Sequence, residues 1–255
     1  MSLHIVALPA FLDNYVWAVA HEGQALVVDP GDASVVENWL AAHDLRLTTL
    51  LITHHHADHT AGLAALKARH RPRVFGPDEA IDGLDDVLRG GETLALAPFG
   101  TARVLAVPGH TLGHIAYHLP AHDLLFCGDT LFSAGCGRLF EGTPAQLHQS
   151  LQALAALPDA TRVCCTHEYT LANLRFAAAV EPANPDRATR EREAQALREQ
   201  GLPTLPVRLA EERRYNPFLR CDEPAVMAAA SREAGRPLMP GAEVLAALRA
   251  WKDHF

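Results

Sequence analysis

Leu50-Leu51-Ile52-Thr53-His54-His55-His56-Ala57-Asp58-His59 passes within ten residues from an apolar run into a stretch where four imidazoles and one carboxylate take five of six positions. Imidazole and carboxylate are borderline-to-hard donors that suit zinc, iron or manganese, and a loop leaving a buried strand can aim several of them at one point. The pattern recurs. Val104-Leu105-Ala106-Val107 runs into Pro108-Gly109-His110, Leu124-Leu125-Phe126-Cys127 runs into Gly128-Asp129, and Val163-Cys164-Cys165 runs into Thr166-His167. Four apolar runs that each close on a metal-type ligand predict strands whose C-terminal ends converge on one rim.

His54, His56, Asp58, His59, His110, Asp129 and His167 make seven candidate donors. One zinc takes about four, so the count points to two ions. Divided three and three with one bridging carboxylate, the donors leave room for a shared water or hydroxide, as in two-metal hydrolytic sites. Asp129 is the natural bridge, because a carboxylate has two oxygens. His55 points away from His54 and His56 if the loop backbone is extended and alternates, and is read as a non-ligand. His114 belongs to the loop structure or to the groups behind the ligands. The remaining histidines, His4, His21, His43, His70, His118, His122, His148 and His254, are read as satisfied or exposed side chains.

The 255 residues carry 22 Lys+Arg against 30 Asp+Glu, a formal charge of −8, and 49% are apolar. This is the composition of a soluble globular protein with one large domain, or one domain and a smaller appendage. An acidic chain without a basic stripe excludes nucleic acid as a partner. No apolar run approaches the roughly 18 residues of a membrane span. Met1-Ser2-Leu3-His4 lacks the cationic start and apolar stretch of an export signal, which predicts a cytoplasmic protein. Five cysteines, two of them adjacent at Cys164 and Cys165 inside an apolar run, suit reduced buried thiols better than a disulfide framework.

Strand-type runs cover Leu3 to Leu8, Tyr15 to Ala20, Ala25 to Val28 and Thr49 to Ile52. Helices are predicted at Ser34 to His43, Thr60 to His70 and Pro144 to Leu157. Beyond Tyr169 the pattern becomes helical, at Leu171 to Val180, Asp186 to Gln200, Glu223 to Ala234 and Gly241 to Lys252, with proline-bearing loops between. The charge-rich segment Asp186 to Gln200 reads as a solvated helix face.

Thr53-His54-His55-His56-Ala57-Asp58-His59 is a form of the T-H-x-H-x-D-H signature. With Pro108-Gly109-His110, Gly128-Asp129-Thr130 and Thr166-His167-Glu168-Tyr169, it resembles the metallo-β-lactamase superfamily. Further segments resemble glyoxalase II, the hydroxyacylglutathione hydrolases: Leu12-Asp13-Asn14-Tyr15, Gly135-Cys136-Gly137-Arg138, His167-Glu168-Tyr169-Thr170, Tyr215-Asn216-Pro217-Phe218-Leu219-Arg220, and Arg249 with Lys252. The resemblance implies an α/β fold: a four-layer αβ/βα sandwich over residues 1–168, followed by a smaller all-helical domain over 169–255. It assigns His54, His56 and His110 to one metal, Asp58, His59 and His167 to the other, and Asp129 to both. It places glutathione against Arg138, Tyr169, Arg249 and Lys252, a cation cluster suited to a ligand with two carboxylates. Where some members carry a tyrosine this chain has Phe140, which offers an apolar wall and no hydroxyl.

The implied reaction is hydrolysis of S-D-lactoylglutathione to D-lactate and glutathione, the second step of methylglyoxal detoxification. A hydroxide between two divalent ions, most simply zinc, would attack, with Asp58 and Asp129 as the catalytic carboxylates. Iron or manganese fits the same donors. The expected partner is a small molecule, the expected state a monomer, with no nucleic acid and no membrane. The competing readings are an iron-dependent persulfide dioxygenase, which uses one ion, and another hydrolase of the same fold.

Overall fold

A computed structural model describes residues 3–255; Met1 and Ser2, which open the stretch inspected for an export signal, lie outside the described residues. The chain forms two compact units that interleave along the sequence. One holds residues up to 106, 113–128 and 164–167, and the other holds 107–112, 129–163 and 168–255.

In the first unit the chain runs β1 (His4–Ala10), β2 (Asn14–His21), β3 (Gln24–Val28), α1 (Ala33–His43), β4 (Arg46–Leu51), α2 (Ala57–Thr60), α3 (Leu63–His70), β5 (Arg73–Pro77) and β6 (Asp86–Leu88). These strands form one sheet in sequence order, antiparallel from β1 to β3 and parallel from β3 to β6. The parallel half decides where chemistry can sit, because β3, β4 and β5 all leave the sheet at the same edge. The last residues of β3 and β4, Val28 and Leu51, are in register, and Leu51 pairs with Phe75, two residues before the end of β5. Val36, Trp39 and Leu40 of α1 and Leu63 and Leu66 of α3 bury one face of the sheet against Val16, Val27, Leu50 and Val74.

A second sheet follows with β7 (Thr93–Ala95), β8 (Thr101–Ala106), β9 (Ile115–Leu119) and β10 (Leu124–Gly128), all antiparallel neighbours. The sheets meet face to face. Tyr117 on β9 donates its hydroxyl to the Ile52 carbonyl at 2.8 Å, and the Trp17 indole packs on Phe126 with ring centroids 6.4 Å apart.

The second unit carries the ribbon β11 (Leu131–Phe132) and β12 (Gly135–Cys136), then α4 (Pro144–Ala155). β13 (Arg162–Cys165) crosses from it back into the first unit. There follow α5 (Thr170–Val180), α6 (Pro185–Glu199), β14 (Val207–Arg208), α7 (Leu209–Tyr215), α8 (Pro224–Ala234) and α9 (Ala242–Asp253). Local sequence sets the helix starts. Asp32 accepts from Ser34 N at 2.8 Å ahead of α1, and Thr143 and Gln146 form a reciprocal capping box with Pro144 in the first turn of α4.

The predicted helices are found to within about two residues, with three differences. The helix predicted from Thr60 to His70 starts later, as α3 at Leu63, and Thr60 ends the separate turn α2; between them Gly62 gives its N–H to the Pro30 carbonyl at 2.9 Å. The charged face of α6 is only partly solvated. Arg187 and Arg190 are buried, Arg187 paired with Glu191 and Arg190 donating to Thr204 O at 2.6 Å. The third difference is α7, whose sequence Leu-Ala-Glu-Glu-Arg-Arg-Tyr gives no apolar periodicity. It is held by Glu212, fully buried, which accepts from Ser133 Oγ at 2.7 Å, Ala134 N at 2.8 Å, Tyr215 Oη at 2.7 Å and Asn216 Nδ2 at 2.9 Å.

All five cysteines are free and buried, as expected. Among the described residues no helix is long and apolar enough to cross a membrane. Glu212→Ala leaves the buried donors of Ser133, Ala134 and Tyr215 without their carboxylate and should destabilise the protein by about 2–4 kcal/mol. Denaturant melts measure this, and a loss below about 0.5 kcal/mol would show that Glu212 is dispensable.

Candidate metal centre

Each of the four predicted strands ends where a candidate ligand begins: β4 at Leu51, β8 at Ala106, β10 at Gly128 and β13 at Cys165. In the first unit, His54 Nε2 and His56 Nδ1 lie 3.0 Å apart. That is near the spacing of two nitrogens bound about 2.0–2.1 Å from one ion. Asp58, His59 and His167 bring one ligand atom each within 4.8 Å of one another, with Asp58 Oδ2 3.6 Å from His59 Nε2 and 3.5 Å from His167 Nε2. In the second unit, His110 Nε2 lies 3.4 Å from Asp129 Oδ2.

The groups behind these side chains decide which nitrogen faces inward. His167 Nδ1 donates to Asp13 Oδ1 at 2.8 Å, and His110 Nδ1 donates to the Arg138 carbonyl at 2.8 Å. A carboxylate or carbonyl only accepts, so Nδ1 carries the proton and Nε2 keeps its lone pair for a metal. Thr53 Oγ1 gives its one hydrogen to Asp29 Oδ2 at 2.8 Å, so at 3.1 Å it accepts from His54 Nδ1 and turns His54 Nε2 inward as well. Asp29 also accepts from Thr53 N at 2.8 Å and lies 3.1 Å from His59 Nδ1. Asn14 holds Asp58 through Nδ2–H to Oδ2 at 2.9 Å. The donor set therefore fits divalent metal: imidazole and carboxylate, orientated from behind and mostly out of water.

Backbone shape serves the same end. Asp29 sits in the left-handed region at φ +51°, which aims its carboxylate back at the loop after β4. At Gly31 a β-carbon would lie 1.8 Å from the Asp58 carbonyl, so only glycine lets the two loops approach.

His55 places Nδ1 2.9 Å from Glu79 Oε2, with its ring edge-on to that of His56, centroids 4.9 Å apart, and 6.5 Å from that of His54. His114 stacks on His54, centroids 4.6 Å apart at 17°, and gives Nδ1–H to the Ile115 carbonyl at 3.1 Å. Arg138 is exposed, with Nε 3.6 Å from Asp253 Oδ1. Phe140 is exposed and packs edge-on to His110, and Tyr169 packs on Phe132. Arg249 is buried. It donates to the Cys136 carbonyl at 3.1 Å and to Asp253 Oδ1 at 2.9 Å, and lies over the Phe218 ring. Lys252 donates to Asn173 Oδ1 and lies over Phe176 and Phe218. Burial, with repulsion from Arg249, pushes Lys252 down to about 7.

Sequence reasoning gave no individual role to Asp13, Asn14, Asp29, Thr53 or Glu79. A signal existed for two of them: Asp29 follows the apolar run Ala25 to Val28, and Glu79 follows Val74 to Pro77, repeating the order of strand then acid.

Residues 10–167 match the metallo-β-lactamase superfamily model, and residues 168–255 match the model of the hydroxyacylglutathione hydrolase C-terminus. A hydroxyacylglutathione hydrolase of Pseudomonas aeruginosa is 55% identical over 258 residues, covering 99% of this chain and 100% of the relative. The crystal structure of ETHE1 from Myxococcus xanthus aligns with a TM-score of 0.66 at 26% identity over 99% of this chain and 98% of that one. TTHA1623, solved in a di-iron-bound form, aligns with a TM-score of 0.54 at 26% identity over 64% of this chain and 91% of that one.

Lys252, ordinarily near 10.5, binds its proton more weakly in the folded chain than in the unfolded one. Unfolding therefore takes up a proton between about pH 7 and the ordinary lysine range, and the folded state gains stability as pH rises across that window. Lys252→Met should flatten that rise in denaturant melts of the ligand-free protein; a parallel rise in wild type and variant would place the titration elsewhere.

Proposed function

The chain belongs to the hydroxyacylglutathione hydrolases of the metallo-β-lactamase superfamily, and from that premise we propose that it hydrolyses S-D-lactoylglutathione at a centre of two divalent metal ions. The observation that carries the reading is the outward-facing set of hydrogen bonds, which leaves His54, His110 and His167 each presenting Nε2. We assign His54, His56 and His110 to one ion, Asp58, His59 and His167 to the other, and Asp129 to both. Zinc suits this donor set, and iron or manganese is accommodated by it. Bound there, divalent ions would supply a water of lowered pKa, towards about 7, and a Lewis acid for the thioester carbonyl.

The protein's part is to hold and orient. Asp58, fixed by Asn14, and Asp129 are the catalytic carboxylates that set the direction of attack. Arg138, Tyr169, Arg249 and Lys252 receive the glutathione portion, and Phe140 supplies an apolar wall. Glutathione leaves as a thiolate whose conjugate acid has a pKa of about 8.5, so the departing sulfur needs no strong general acid. In this reading residues 1–168 are the catalytic domain and 169–255 bind the peptide, in a cytoplasmic monomer acting on a small molecule.

The test is to purify the protein, count metals per chain and follow loss of thioester absorbance with lactoylglutathione. Two ions and thioester turnover are expected; turnover absent with both ions bound rejects the hydrolase reading, and oxygen consumption would point to the dioxygenase. Replacing both terminal cations, Arg249→Ala with Lys252→Ala, should raise KM for glutathione thioesters by about 10–100-fold, since a charged hydrogen bond is worth about 1.5–3 kcal/mol. KM for uncharged thioesters should move little; equal effects on both substrates would remove the pair from the binding site.

A further inference from the structure

Three successive parallel strands deliver an acid or a ligand cluster to one sheet edge. β3 leads to Asp29, β4 to the histidine loop, and β5 to Asp78-Glu79. The first two belong to the metal centre as read above, and Glu79 remains without a role. Its side chain is 7% exposed. Oε2 accepts from His55 N at 2.7 Å and lies 2.9 Å from His55 Nδ1, while Oε1 accepts from Gly113 N at 3.0 Å.

The location gives these contacts their meaning. His55 is the single residue between His54 and His56, so fixing its peptide N–H fixes the backbone from which its two neighbours point. Gly113 precedes His114, whose ring is stacked on His54. At Gly113 a β-carbon would lie 2.5 Å from Glu79 Cγ, so the loop before β9 carries glycine where the carboxylate comes closest. One buried carboxylate thus ties together the loop after β4, the loop after β5 and the loop before β9.

We propose that Glu79 is a positioning residue for the His54 and His56 half of the metal centre, acting through the His55 and Gly113 peptide groups. The proposal rests on the two-metal reading and adds to it a residue outside the seven assigned ligands. A carboxylate is needed because both ends must accept. An amide has an acceptor at one end only, so Glu79→Gln sets N–H against N–H at the other.

The experiment uses cobalt(II) added to metal-free full-length protein, with affinities from chelator competition and the visible spectrum of the bound ion. Wild type should bind two ions. Glu79→Ala and Glu79→Gln should bind one ion as wild type does and hold the other about 10–100-fold more weakly, the range expected when a group behind a ligand is lost. Glu79→Gln keeps the volume and guards against an alanine variant that fails to fold. His55→Ala, which keeps the peptide N–H, should retain both ions. Wild-type affinity and spectrum at both sites in both Glu79 variants overturn the proposal while the two-metal reading stands. A uniform weakening at both sites that tracks the melting temperature of the metal-free protein also overturns it, as a merely structural effect. A wild-type chain that binds fewer than two ions overturns the two-metal reading, and the proposal with it.

Discussion

An imidazole has two nitrogens, and only one can face a metal ion. A centre built from histidines therefore depends on what each ring does with the other nitrogen. Here Asp13 takes the outer N–H of His167, the Arg138 carbonyl takes that of His110, and Thr53, itself committed to Asp29, takes that of His54. Without these partners the rings could turn or exchange tautomers, and the inner lone pairs would lose their direction. Apart from Asp58 and His59 in the single turn α2, the candidate ligands stand on loops, where rigidity has to be supplied by neighbours.

The parallel half of the first sheet supplies it. Parallel strands share a direction, so the residues that follow β3, β4 and β5 reach the same edge without long connections. Asp29 serves both Thr53 and His59 because its left-handed backbone folds the carboxylate towards the neighbouring loop. That conformation costs a non-glycine residue on the order of 1 kcal/mol. The buried acceptors that Thr53 N and Oγ1 gain offset it, since each would otherwise be a buried donor facing a carbon surface. Gly31 belongs to the same arrangement: the loop after β3 can lie against Asp58 only without a side chain.

Much of this was legible in the chain, because ligand chemistry has a conspicuous alphabet. His54 to His59, His110, Asp129 and His167 announce themselves by residue type and by the apolar run before each, and β4, β8, β10 and β13 end at those places. The helices read well where a cap marks the start, as at Asp32 and Thr143. What could not be read depends on partners distant in sequence. α7 has no periodicity of its own and is held by Glu212 through contacts with residues almost 80 positions away. Arg187 and Arg190 look solvated until Glu191 and Thr204 are placed around them. Asp13 and Glu79 are ordinary acids until the fold sets them behind His167 and His55, 154 and 24 residues away.

The terminal cations follow a different logic from the metal ligands. Arg249 is buried with its fork already shared between a carbonyl and Asp253. Lys252 lies beside it and over two aromatic rings, where burial and the neighbouring guanidinium both favour its neutral form. Under the proposed function, an incoming carboxylate reverses that balance. A negative charge close to the ammonium favours the protonated state, so ligand binding and proton uptake at Lys252 are linked and each strengthens the other. The pair then divides the labour of recognition: Arg249 provides a fork held in place by the Cys136 carbonyl and Asp253, and Lys252 a charge that the anion strengthens.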